Sequence, residues 1–174
     1  GAPHDLASFL YLIIEVCSGI ILYDFLFFFV HWGYHESPFL RVFHVKHHMH
    51  DRGIVEATDV LNHSFIDGSL QVLINIYTQR YTPWGKVKSR MARMLHNMIV
   101  TWMLTESHSS SPNMYISRKW FIGVKNHRLH HLSHNENHQN RNHNYVCPHF
   151  QQFFGYLDSA LKNYRLSCQK CTSR

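Results

Sequence analysis

The chain reads as an all-α, membrane-embedded helical bundle with a histidine-rich di-metal cap on its cytosolic side, and three observations predict this. An apolar run, LASFLYLIIEVCSGIILYDFLFFFV, fills residues 6–30 and carries only Glu15 and Asp24 as charges. Histidines recur in three clusters at helical spacing: HWGYH at 31–35, HVKHHMH at 44–50 and HRLHH at 127–131. No convincing strand alternation occurs anywhere in the chain.

The elements follow in order. Residues 5–36 form one long helix, ended by Ser37-Pro38 because proline disfavours helix at the residue before it. Residues 42–51 form a short helix bearing the second cluster. Residues 57–79 form a third helix, broken by Thr82-Pro83. Residues 86–106, KVKSRMARMLHNMIVTWMLTE, form a fourth. Its basic start and apolar end suit a helix dipping into the membrane interface, with Lys and Arg reaching back to the headgroups. Residues 109–113 make a turn. A short helix over 125–134 carries the third cluster, HNENHQNRNHN at 134–144 is a polar loop, and 150–163 is a last amphipathic helix.

Composition sets the class. The 174 residues suffice for one domain, with a membrane helix in 1–36, a histidine core in 37–134, and a polar loop, final helix and tail in 135–174. The net charge is +6, and all 17 Lys and Arg residues lie at or after Arg41. A basic balance suits nucleic acid or an anionic membrane; this segregation from the apolar run argues for the membrane and against nucleic acid. The run exceeds the ~20 residues needed to cross a bilayer, and the Lys/Arg bias then places 41–174 on the cytosolic or matrix side. A cleaved signal peptide lacks its basic start and its small-residue cleavage site here. A buried core helix is the other reading. Cys17, Cys147, Cys168 and Cys171 suggest no disulfide framework, and CQKC is a lone CxxC.

The 17 histidines outnumber the 11 acidic residues and carry the chemistry. Positions i, i+3 and i+4 of a helix share a face. His31 and His35 are therefore neighbours, as are His44, His47 and His48, and His127, His130 and His131. Neutral imidazole is a common nitrogen ligand for iron, zinc and copper. Eight such ligands are too many for one ion and suit two. His108, ending the fourth helix, is a ninth candidate. Asp24 lies seven residues before His31 and eleven before His35, close to the same helix face. It is placed to accept a ligand histidine's second N–H; a polar residue at the membrane interface is the plainer reading. His63, between Asp59 and Asp67 at i±4, makes either a supporting set or a polar helix face. His96 belongs to the core or to the ligands' support, and His134 is a reserve ligand. His138, His143 and His149 are read as solvated, and His4 as without a role. A zinc hydrolase would need a general base beside the metal; Glu36 and Glu106 flank ligand positions, but HExxH is absent.

The motifs in order resemble the fatty acid hydroxylase and sterol desaturase superfamily. DFLFFFVHWGYH resembles its opening motif, HVKHH its second box and NHRLHH its third. NHNY at 142–145 resembles the Asn-Tyr after the third box, and FFGYLDSALKNYR the closing segment, with Asp158 in the Asp position. The resemblance runs from about 20 to 165. Trp32 replaces an Arg common after the first histidine, Val146 replaces a Gly, and Leu157 and Ser159 depart from the closing signature. The family usually has membrane helices upstream of the first box, and one clear span precedes it here. The chain is thus a fragment, a reduced member or a divergent one.

The resemblance implies an integral membrane non-haem di-iron oxygenase. Two iron ions, replaceable by zinc in purified material, would be held by His31, His35, His44, His47, His48, His108, His127, His130 and His131. O2 would be the co-substrate, and a fatty acyl or sterol C–H bond would be hydroxylated or desaturated. Phe25, Phe27, Phe28 and Phe29 would line the lipid's route or face the bilayer. Electrons would come from a separate donor such as a cytochrome b-type protein, since GxGxxG is absent. The endoplasmic reticulum is the expected membrane, with the mitochondrial inner membrane as alternative. The competing function is a catalytically diverged, hydroxylase-like structural subunit of a membrane complex.

Overall fold

The computed structural model describes residues 3–49, 55–109, 121–140 and 149–167. Among them six α-helices account for nearly all regular structure: α1 (Leu6–Glu36), α2 (Pro38–His44), α3 (Phe65–Arg80), α4 (Arg90–Ser107), α5 (Ile122–Asn140) and α6 (Tyr156–Ser167). Two 3-10 turns, Val45–His48 and Ala57–Leu61, complete the pattern. The all-α expectation holds. Among the described residues α1 is the one helix long and apolar enough to cross a membrane.

Polar caps set the boundaries. Asp5 and Ser8 form a reciprocal capping box that starts α1. Ser37 ends α1 and caps α2, with Pro38 at the first helical position, where its missing N–H costs nothing. The second cluster therefore straddles an α-helix end and a 3-10 turn rather than one helix over 42–51; residues 50 and 51 lie outside the described residues. The expected third helix breaks at 62–64. Asn62 donates its side-chain amide to the carbonyls of Lys46 and Met49, and Ser64 starts α3 afresh. Ser89 caps α4, so 86–89 is not helical. It belongs to a tight return in which Tyr81 bridges Val87 and Gly85 takes φ 82°, a backbone state that favours glycine.

α1 packs against α3 and α4, which run as a hairpin along it. Its buried stripe is Leu12, Val16, Ile20, Tyr23 and Phe27, facing Ala92, Val100 and Met103 of α4. The same stripe continues into His31 and Tyr34, so the first histidine box is the polar end of a core face. The opposite face stays apolar and exposed at Phe9, Ile13, Ile21, Phe25 and Phe29. Phe25 and Phe29 thus face outward, while Phe27 and Phe28 turn inward beside the histidines.

The third box also departs from expectation. α5 runs to Asn140, so 134–140 is helix rather than loop; the side chains of His134 and His138 lie outside the described residues. Residues 150–155 are not helical, and α6 starts only at Tyr156. The segment is pulled off a helical path by two carboxylates. Asp24 accepts from the backbone N–H groups of Gln152, Phe153 and Phe154, and Asp158 accepts from those of Phe150 and Gln151. Gly123 at the start of α5 sits against the backbone of Phe153 and Phe154, and a Cβ there would overlap it. Gly123→Ala should therefore destabilise by about 3 kcal/mol, lowering Tm by roughly 6–12 °C in a chain of this size. Thermal unfolding measures it, and an unchanged Tm would contradict the close approach.

A second polar group lies at the hairpin end. Lys88 Nζ donates to the Thr78 carbonyl at 2.6 Å, beside Gly19, whose missing Cβ leaves room for the amine. Glu15 accepts from Ser89 N and Oγ. His96 is fully buried here, and burial together with Lys88 holds it down to about 4. Its folded value lies below its unfolded one, so its contribution is present above pH ~6.5 and lost as pH falls toward 4. The loss is on the order of a few kcal/mol. His96→Gln should flatten the acid limb of a stability–pH curve taken on metal-free protein. A curve that keeps its slope would remove His96 as the cause.

Candidate metal centre

Nine histidines from four parts of the fold meet at the end of the bundle where α1 and α4 finish. α1 brings His31 and His35, the α2–3-10 junction His44, His47 and His48, the end of α4 His108, and α5 His127, His130 and His131. All except His35 are buried. They separate into two sets whose ligand atoms lie within 4.8 Å of one another: His31, His35, His44 and His48; and His47, His108, His127 and His131. His130 joins the first through Nε2, 3.0 Å from His35 Nε2. The sets adjoin, with the His48 and His131 rings stacked at 4.5 Å. The structure thus gathers every histidine expected as a ligand.

Tutoring of the outer ring nitrogens decides what this cluster can hold. His31 Nδ1 lies 2.9 Å from the Phe150 carbonyl, His47 Nδ1 3.3 Å from that of Asn62, and His108 Nδ1 2.9 Å from that of Leu104. His44 Nδ1 lies 2.9 Å from Asp67 Oδ2. Carbonyl and carboxylate oxygens only accept, so these rings carry their proton on Nδ1. Burial, reinforced by neighbouring imidazoles, holds His47, His48, His127 and His131 well below the ordinary histidine range. They are neutral at pH 7, with bare lone pairs on the Nε2 of the Nδ1-protonated rings. Yet His47 Nε2 faces His108 Nε2 at 3.3 Å. Two buried lone pairs at that distance repel, with no proton between them. A cation turns the repulsion into ligation. Metal–nitrogen bonds of ~2.0–2.1 Å place adjacent ligand nitrogens roughly 3 Å apart, and the other Nε2 pairs fall there too: His31–His35 3.1 Å, His44–His48 3.1 Å and His127–His131 3.1 Å. The residues fit two metal ions with all-nitrogen ligation.

Asp24 corrects the sequence reading. Among the described residues it bonds no histidine ring. Its acceptors serve three backbone N–H groups of 152–154 and Gln151 Nε2, at 2.7 Å for the last. Its seven-residue offset does put it on the histidine face, but the chain from 150 to 155 comes between. Asp24 therefore reaches His31 indirectly, through the segment whose Phe150 carbonyl orients that ring. Among the described residues the carboxylate that meets one of these rings is Asp67. Burial pushes Asp67 up, but His44 and His63 more than reverse this and hold it well below the usual carboxylate range. His63 lies in the break before α3 rather than on a helix face, stacks on His47 at 4.6 Å and has its Nδ1 3.7 Å from Asp67 Oδ2.

The sequence reading missed Phe150, Gln151 and the segment they define. Their signal was the match of FFGYLDSALKNYR to a closing motif, which named Asp158 but gave it no partner. Phe27 and Phe150 close the apolar side, their rings 5.3 and 5.7 Å from His31. His149 is partly buried and joins neither set. His143, NHNY at 142–145, most of the 109–113 turn, Cys147 and CQKC lie outside the described residues; Cys17 is exposed and free.

A family model described as fatty acid hydroxylase matches residues 16–163. Cholesterol 25-hydroxylase of Homo sapiens is 25% identical over 170 residues, covering 91% of this chain and 56% of that protein. The chain thus spans little more than half the length of this relative. No solved structure matches significantly.

Proposed function

Because the chain belongs to the fatty acid hydroxylase family, we propose that it is the metal-binding part of a membrane-bound non-haem di-iron oxygenase acting on a lipid C–H bond. The observation that carries this reading is the pair of four-histidine sets whose Nε2 atoms converge at 3.1–3.3 Å, with the outer nitrogens of His31, His44, His47 and His108 already committed. When bound, a pair of ferrous ions supplies activation of O2 toward an unactivated C–H bond, with electrons from a separate donor such as a cytochrome b-type protein. The chain's own residues do the rest. The Phe150, Asn62 and Leu104 carbonyls and Asp67 fix tautomer and ring direction. Burial keeps the rings neutral and ready to bind. Phe27, Phe28 and Phe150 keep water from the His31 side. His35 is the one ligand of the eight left partly exposed, and we place the approach of O2 and substrate there.

The substrate is a fatty acyl chain or a sterol, reached from the bilayer along α1, and the endoplasmic reticulum is the membrane we propose. The sterol option is supported by the similarity to human cholesterol 25-hydroxylase. The test is metal analysis of gently purified protein by mass spectrometry, paired with lipid analysis of cells with and without it. About two irons per chain together with an oxidised lipid that requires O2 supports the reading. Folded protein without metal would overturn it and favour a structural subunit.

A further inference from the structure

We propose that Asp67 is a positioning residue that couples the two histidine sets, so that two ions are taken up together rather than independently. The inference rests on the metal reading above. Asp67 is fully buried in the first turn of α3, its N–H held by Ser64 Oγ at 3.2 Å. Its Oδ2 accepts the Nδ1–H of His44, which leaves His44 Nε2 aimed at His48 in the first set. The same Oδ2 lies 3.7 Å from His63 Nδ1. The His63 ring in turn stacks on His47 of the second set, 4.6 Å between centroids and 23° between planes. Gln71 Nε2 donates to Oδ1 at 3.2 Å and keeps the carboxylate from rotating away. One carboxylate thus bonds a ring of one set and braces a ring of the other through a single intermediary.

Ring ordering gives the coupling its sign, and charge makes the shared carboxylate matter to both sets. Two dications placed among neutral imidazoles need a buried counter-charge. Asp24 and Asp158 spend their acceptors on the backbone of 150–154. Among the described residues Asp67 is the buried carboxylate bonded to a ligand ring. Filling either set orders its own ring against the fixed Asp67 carboxylate and, through Asp67 and His63, the facing ring of the other set. The sites then load as a unit, and removing the carboxylate weakens both.

The full chain in detergent, stripped of metal, can be titrated with Co2+, following its visible absorption and the cobalt retained per chain. Wild type should fill to two ions in one cooperative step. Asp67→Asn keeps the side-chain size and should weaken both ions by about 10–100-fold, the range for lost ligand support, with filling in separate steps. His63→Ala, at a partly exposed position in the break before α3, should preserve the fold if Asp67→Asn does not. It should weaken one ion of the pair and split the titration. Loss confined to one ion in Asp67→Asn, or wild-type filling in both variants, overturns the coupling. Cobalt uptake as described without any lipid oxidation would count against the oxygenase alone. Wild type that takes up no cobalt overturns both.

Discussion

Alanine at His131 should leave fewer than two ions per chain and reduce lipid oxidation to the level of metal-free protein. His131 Nε2 lies 3.1 Å from that of His127, in a set with His47 and His108. Truncation removes one of four donors and opens a cavity in a wholly buried place. Losing a residue that merely supports a ligand typically costs 10–100-fold in metal affinity, and losing the ligand should cost more. Stability should follow, because a metal that binds only the folded state stabilises it by about 4 kcal/mol at a thousandfold excess over Kd. For a chain of this length that is roughly 8–16 °C in Tm. Wild type treated with a strong chelator should therefore melt about 10 °C lower, and the variant should start low and shift little on chelation. Metal analysis and melting in the same detergent check both. Two retained ions and wild-type product formation in His131→Ala would remove this residue from the ligand set.

Replacing Asp24 by alanine should prevent the protein from accumulating. Asp24 is fully buried and receives three backbone N–H groups and the Gln151 amide. Each donor left unpaired costs about 1–3 kcal/mol, so the sum approaches the ~5–15 kcal/mol that holds a domain together. Asp24→Asn should be milder, because one oxygen still accepts while the new NH2 group opposes the remaining donors. Its signature should appear at the metal as well, since the 150–154 segment carries the carbonyl that orients His31. Expression level and melting of the alanine variant, with metal content of the asparagine variant, test the argument. An alanine variant that accumulates and melts like wild type would refute it.

The contrast between Asp24 and Asp67 shows what kind of information each level holds. Helical spacing along α1 put Asp24, His31 and His35 near one face, which is correct. It does not reveal which distant segment fills the space beside that face. Asp67 lies 23 residues from His44, and their contact follows from how α3 packs against α2, which no local pattern encodes. His47 and His48 illustrate the same point. Their adjacency in sequence predicts one cluster, and the 3-10 turn at 45–48 sends them to different sets.

Local chemistry by itself determined the helical class, the long apolar α1 and its end at Ser37-Pro38, and the nine histidines as ligand candidates. These depend on residue type and on spacings of a turn or two, where backbone geometry leaves little freedom. Tertiary structure decided the division of the nine rings into two sets, the proton-bearing nitrogen of each anchored ring, the redirection of Asp24 to the 150–154 backbone, and the placing of Asp67 between the sets. Apart from His108, anchored by the Leu104 carbonyl one turn back, each of these is a contact between residues far apart in the chain. Its energy is set by burial and by which donors remain to be satisfied once the helices have packed.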